Sequence, residues 1–149
     1  MAEKRPPVEP VELSQQWLRQ AFPPTDQQAA VIGAPAGPML VVAGAGAGKT
    51  ETMAARVVWL VANELVAPDA VLGLTFTRKA ASELNERIRI RLGALSRHPE
   101  TDPGLAERLA VAMPTVSTYH GYAASLVSEH GLRIGVEPGA GVLGPAMCW

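Results

Sequence analysis

Between Ala43 and Thr50 the sequence reads Ala-Gly-Ala-Gly-Ala-Gly-Lys-Thr, and few stretches so short limit a fold as tightly. The apolar run Met39-Leu-Val-Val-Ala43 precedes it and a helix-forming stretch follows, which sets out the strand, loop and helix order of a phosphate cradle. Glycine lets backbone N–H groups turn inward around the α- and β-phosphates, where a Cβ would obstruct the approach. The loop ends at a helix N-terminus, whose free N–H groups and partial positive charge favour an anion. Lys49 is placed to reach the β- and γ-phosphates and the Thr50 hydroxyl to complete the shell of a Mg²⁺ ion. A nucleoside triphosphate is the expected ligand, held by Ala43, Gly44, Ala45, Gly46, Ala47, Gly48, Lys49 and Thr50, with Lys49 and Thr50 the catalytic pair. Ala43 stands where the usual pattern has glycine, so the first turn must tolerate a methyl group.

The rest of the chain supplies an alternating pattern around this loop. Met1 to Pro10 is Pro-rich and reads as loose, and Val11 to Phe22 as a short helix ending at Pro23-Pro24. Thr25 caps a helix through Gln27 and Gln28, and a Gly/Pro-rich turn leads to a first strand, Met39 to Val42. Lys49 to about Leu65 is a helix with Met53, Val57, Leu60, Val61 and Leu65 on one face. Val71 to Thr75 is a second strand, and Arg78 to about Leu95 a helix with Ala81, Leu84, Ile88 and Leu92 at helical spacing. A short helix near Leu105 to Ala112, a third strand at Thr115 to Ser117 and a helix from Gly121 to His130 complete the pattern. Strands alternating with helices indicate an α/β fold with a parallel sheet and helical crossovers, in which ligands sit at the carboxyl ends of the strands. With 149 residues there is room for one domain.

A net charge of −1 excludes a chain that is basic all over, so contact with nucleic acid requires a local patch. Arg78, Lys79, Arg87, Arg89, Arg91 and Arg97 form such a surplus, opposed by Glu83 and Glu86. The one cysteine, Cys148, cannot form an internal disulfide, and no apolar run approaches a membrane span. The expected location is the cytoplasm, with no membrane partner. The segment from Gly131 to Trp149 is rich in Gly and Pro and ends without a polar finish, which reads as a cut. No strand in the sequence ends in the acidic residue that a P-loop enzyme uses to hold Mg²⁺ and orient the attacking water.

Four motifs then add up to a resemblance. Thr25-Asp-Gln-Gln28, the P-loop, Leu74-Thr-Phe-Thr-Arg-Lys-Ala-Ala81 and Val116-Ser-Thr-Tyr-His-Gly-Tyr122, in that order, resemble the opening motifs of UvrD/Rep-type superfamily 1 DNA helicases over roughly Pro24 to His130. The resemblance implies a RecA-like P-loop NTPase fold, here truncated, with ATP and Mg²⁺ as cofactors and single-stranded DNA as partner. It implies a motor that walks 3′ to 5′ and unwinds duplex DNA in repair or recombination. Residues 1–22 would be an N-terminal extension and 23–149 an incomplete ATP-binding domain. The remaining helicase domains, or a helicase–nuclease partner subunit, would supply the later motifs and the arginine fingers, so this chain alone is expected to be incomplete and inactive.

The resemblance also assigns roles, and each stands beside a structural alternative. Gln28 is similar to the glutamine that reads the adenine edge, yet Thr25 and Gln28 also make a Thr-x-x-Gln capping box. Phe76, Thr77 and Arg78 resemble a segment that meets single-stranded DNA, with Phe76 stacking on a base; the alternative is a core phenylalanine. Arg78 replaces the Asn common in the family, and Glu51 an arginine often found after the Lys-Thr pair. Thr118, His120 and Tyr122 resemble a motif touching the DNA backbone, although His120 alone would read as a helix-start residue. Trp17, Trp59 and Trp149 read as packing residues. Two other classes stay open: a different small P-loop phosphotransferase, and an inactive nucleotide- or DNA-binding fragment.

Overall fold

The computed structural model describes residues 6–137. Trp149, Cys148 and the rest of the Gly/Pro-rich segment beyond residue 137 lie outside the described residues, as do Met1 to Arg5. Helix α1, Pro10–Glu12, runs into a π-helical turn at Leu13–Trp17. Next come α2, Asp26–Ile32, and, beyond an extended segment and the Gly-rich loop, α3, Lys49–Ala62. Strand β1, Leu72–Thr75, leads into the long α4, Arg78–Ser96, followed by α5, Pro103–Val111, then β2, Thr115–Thr118, and α6, Tyr119–His130. The two strands pair in parallel, with Leu72 opposite Thr115 and Thr75 opposite Thr118. A parallel pair requires a crossover connection, and α4 with α5 provides it. The outcome is a mixed helix–strand molecule with a small parallel sheet.

The core lies where α3, α4 and α5 meet. On α4 the residues at helical spacing, Ala81, Leu84, Ile88 and Leu92, are buried as expected, and Leu95 joins them. On α3 the expected face holds at Val61, and towards the N-terminus the buried positions are shifted by one residue. Ala54, Val58 and Val61 are fully buried, whereas Met53 and Leu65 are exposed. Both faces of this helix are apolar in sequence, so packing partners decide which one turns inward. The partners are α2 and α4 and, from the other end of the chain, the segment before residue 22.

That N-terminal segment is part of the core rather than loose. Val8, Leu13 and Trp17 are buried in the main apolar cluster. The Val8 amide donates to Asn63 Oδ1 at 2.6 Å, and the Val8 carbonyl accepts from the Trp59 indole Nε1 at 2.6 Å. Trp17 stacks on His98 with ring centres 4.5 Å apart. Trp17 and Trp59 are therefore packing residues, as expected. A buried indole N–H needs an acceptor, and here a carbonyl 51 residues away supplies it.

The expected first strand, Met39 to Val42, is not formed. The only sheet among the described residues has the order β1-β2, and residues 39–42 run without a ladder partner. A strand exists through hydrogen bonds to a neighbour, so apolar composition alone does not make one. Leu40 and Val42 are accordingly 89% and 86% exposed. Arg56 of α3 fixes the chain just upstream by donating to the carbonyls of Val31, Ile32, Ala34 and Pro35.

Candidate functional site

The Gly-rich loop takes the conformation that its glycines permit. Gly46 and Gly48 have φ of 77° and 75°, the left-handed region that costs a residue with a Cβ about 1–2 kcal/mol. Gly48 is also the N-cap of α3, so the loop passes directly into the first turn of a helix whose leading N–H groups have no side-chain cap. Cβ atoms at Gly44 or Gly46 would point into open space. The room above the loop is thus free on the side where the backbone turns. Lys49 folds back over this loop, its Nζ donating to the carbonyls of Ala43 at 3.1 Å and Gly44 at 2.6 Å. Ala43 precedes the turn at residues 45–46, and Thr50 lies in the first helical turn beside Lys49.

Gln28 meets this loop from the side. Its amide carries the capping box with Thr25: Thr25 N donates to Oε1 at 3.0 Å, and Gln28 N donates to Thr25 Oγ1 at 3.3 Å. The same amide also reaches the loop, with Nε2 donating to the Ala47 carbonyl at 3.3 Å. A Cβ on Gly48 would come within 2.8 Å of that nitrogen. Capping and loop contact are therefore simultaneous. A cavity of about 650 Å³ opens between Gln28, Val41, Ala43, Ala47, Lys49 and Arg56.

A second group of residues gathers at the carboxyl ends of the two strands. Because Thr75 lies opposite Thr118, the residues that follow, Phe76 and Tyr119, emerge side by side. Their rings pack with centres 5.1 Å apart and planes tilted by 34°. Phe76 is 88% exposed, which excludes the core reading of this residue. Thr77 and Thr118 cap α4 and α6 by accepting from the backbone N–H of Ala80 and Gly121. His120 is exposed and is not the cap; Thr118 has that role. A groove of about 740 Å³ is lined by Phe76, Arg78, Thr118 and His120, with Glu137 also on its rim. Tyr122, one turn along α6 from Tyr119, does not line it. Tyr119 is the residue that the sequence reading missed; its only signal was an aromatic side chain directly after a capping threonine.

The basic surplus on α4 is partly neutralised. Glu51, which stands where an arginine is common in the resembled family, accepts from both Arg87, at 2.7 Å, and Arg91. Lys79 lies 3.9 Å from Glu83, an exposed pairing that adds little stability. No helix among the described residues is long and apolar enough to cross a membrane.

Comparison with known proteins finds DNA helicases among the relatives of this chain. Over 117 residues the chain is 36% identical to an ATP-dependent helicase/nuclease subunit of Pelotomaculum thermopropionicum, covering 76% of this chain and 9% of that protein. It is 35% identical over 111 residues to DNA helicase II of Haemophilus influenzae, covering 74% and 14% respectively. A 64-residue stretch, 43% of this chain and 9% of the relative, is 50% identical to ATP-dependent DNA helicase UvrD2 of Mycobacterium bovis. The chain thus spans about a tenth of the length of these relatives. The UvrD/REP helicase N-terminal domain model matches residues 24–143, a span that takes in the P-loop, Gln28 and both strand-end motifs, and the chain belongs to that family.

Proposed function

We propose that this chain is the ATP-binding part of a DNA helicase that couples ATP hydrolysis to 3′–5′ translocation on single-stranded DNA and to duplex unwinding, in DNA repair or recombination. One observation carries the reading: Gly46 and Gly48 hold the loop open on the left-handed side, directly ahead of the uncapped N-terminus of α3, with the Lys49 ammonium over it. The free space beside Gly44 and Gly46 fits a phosphate chain, which a Cβ at either position would approach. In this reading the residues have separate tasks. The loop amides from Ala43 to Gly48 bind the α- and β-phosphates. Lys49 leaves its carbonyl partners for the β- and γ-phosphates, exchanging neutral acceptors for charged ones. Thr50 would supply a hydroxyl oxygen to a Mg²⁺ ion, whose chemistry would be to offset phosphoryl charge. Gln28 reads the adenine edge while its bond to Ala47 ties it to the loop.

The parallel pair β1 and β2, joined through α4, supports a RecA-like P-loop fold, with residues 23–149 as the ATP-binding domain. The groove beside Phe76, Arg78, Thr118 and His120 is the proposed contact with single-stranded DNA. Water orientation and the arginine finger come from the remaining helicase domains or from a helicase–nuclease partner, so the chain alone binds ATP without turning it over at a useful rate. The Pelotomaculum relative bears the name of a helicase/nuclease component, which supports the second kind of partner. Calorimetric titration of the chain with Mg-ATP tests the proposal. Lys49→Ala should weaken binding by about 2 kcal/mol, the loss of a charge-assisted contact. Equal affinity in variant and wild type would overturn it.

A further inference from the structure

Helix α2 has seven residues, too few to be stable alone in water, so its neighbours set its place. The Thr25–Gln28 box closes its N-terminus, but its last turn contains no basic residue to meet the carbonyls left open there. Arg56 of α3, about two turns beyond Lys49, fills that position. Its Nη1 donates to the carbonyls of Val31 at 2.8 Å, Ile32 at 2.9 Å and Ala34 at 2.9 Å, and its Nη2 to that of Pro35 at 3.1 Å. Among the described residues no carboxylate pairs with this guanidinium, so its partners are backbone carbonyls.

Those carbonyls belong to two parts of the candidate nucleotide site. Val31 and Ile32 end α2, which carries Gln28 about one turn earlier, with its Nε2 donating to the Ala47 carbonyl of the loop at 3.3 Å. Ala34 and Pro35 begin the segment that enters the loop, and residues 39–42 have no ladder partner to hold it further along. Arg56 ties both parts to the helix that begins with Lys49 and Thr50, and Gln28, Val31, Lys49 and Arg56 border one cavity. Ile32, 2% exposed, also holds α2 to the core, but apolar contact is non-directional and leaves a helix free to turn or slide. The hydrogen bonds of one planar group fix its direction.

We infer that Arg56 is a positioning residue for nucleotide binding: by clamping residues 31–35 to α3 it sets the distance between Gln28 and the phosphate loop, without itself touching the nucleotide. The inference rests on the reading above, in which Gln28 meets the base and the loop meets the phosphates. One ligand satisfies both contacts only while α2 and α3 keep their spacing, since an offset of about 1 Å is enough to break a hydrogen bond. The phosphate contacts are local to residues 43–50 and survive such an offset. Loss of the clamp therefore weakens a ligand that has a base and spares one that is phosphate alone.

Titration calorimetry of the full chain with Mg-ATP and Mg-tripolyphosphate tests this. Arg56→Lys, which keeps the charge and loses the planar fork, should bind ATP about fivefold more weakly, the scale of one hydrogen bond, and tripolyphosphate within about twofold of wild type. Gln28→Ala should show the same selective loss, and in the Arg56→Lys background should add little to it, because the two act on one contact. Unchanged ATP affinity in Arg56→Lys, an equal loss on both ligands as a purely structural role would give, or fully additive losses would overturn the inference alone. A measurement on wild type keeps the test decisive if the lysine variant fails to fold. Coupling is reciprocal, so saturating Mg-ATP should slow hydrogen exchange of the Arg56 Nη protons about fivefold, with no change on tripolyphosphate. Exchange that ignores ATP would overturn the inference. No loss in Gln28→Ala alone would overturn the base contact, failure of wild type to bind tripolyphosphate would overturn the phosphate cradle, and this inference would fall with either.

Discussion

Helices α3 and α4 bury Val58, Val61, Leu92 and Leu95 completely, whereas Met39 to Ala47, the residues immediately before α3, are exposed throughout. One stretch derives its shape from side-chain packing. The other derives it from backbone conformation, two left-handed glycines and a lysine folded onto carbonyls. On the proposed function the contrast separates scaffold from binding surface. Packed residues set the position and direction of the α3 N-terminus, and the loop spends its backbone groups on whatever enters the space above it.

Substitutions should therefore act very differently on the two sides. Leu92→Ala, which empties a fully buried site on α4, is expected to lower unfolding free energy by about 3 kcal/mol in urea denaturation. Val42→Ala, almost the same chemistry on the exposed segment, should change it by less than about 0.5 kcal/mol. Comparable losses at the two positions would show that residues 39–42 are packed in solution and would break the comparison.

Gly48→Ala comes next. It combines a left-handed backbone with a Cβ placed 2.8 Å from Gln28 Nε2. A cost of about 1–2 kcal/mol is expected by thermal unfolding, with loss of Mg-ATP binding because Gln28 is displaced from the loop. Gln28→Ala alone loses the capping contact to Thr25, so the comparison is made in that background, where Gly48→Ala should cost less than in wild type because only the strain of positive φ stays. An equal cost of Gly48→Ala in both backgrounds would show that the Gln28 contact is not what Gly48 accommodates.

The smallest effect concerns the strand ends. Phe76→Ala should weaken binding of labelled single-stranded DNA by about 1 kcal/mol in anisotropy, the lower range for one base stacked on an aromatic ring. It should leave stability unchanged, because the ring is exposed. Because few phosphates can be neutralised here, the dependence on salt should be shallow. DNA binding that ignores Phe76 would rule out the strand-end groove as the contact.

Local features were legible in the sequence and long-range ones were not. The P-loop is a local signal, since its glycines, its lysine and the following helix lie within a few residues of one another. The α4 stripe was equally plain because its outer face is charged. On α3 apolar residues occur on both faces, so the choice of Ala54 and Val58 over Met53 and Val57 depended on α2, α4 and the N-terminal segment. Burial of Val8, Leu13 and Trp17 rests on contacts such as Val8 with Trp59 and Asn63, which no local pattern announces. Residues 39–42 have the composition of a strand, but pairing is a property of two segments. At the strand ends the register of β1 against β2 joined Phe76 to Tyr119, a pair separated by more than forty residues.

On ligand binding, the exposed loop should become a filled cradle while the helical scaffold stays as it is. Backbone amide NMR of the chain, titrated with Mg-ATP, observes both regions at once. Large shifts are predicted at Gly44, Gly46, Gly48, Lys49 and Thr50, with smaller ones at Gln28, and resonances of Leu105 to Leu109 on α5 unmoved. Shifts absent from the loop, or spread evenly through α5, would contradict the division into cradle and scaffold.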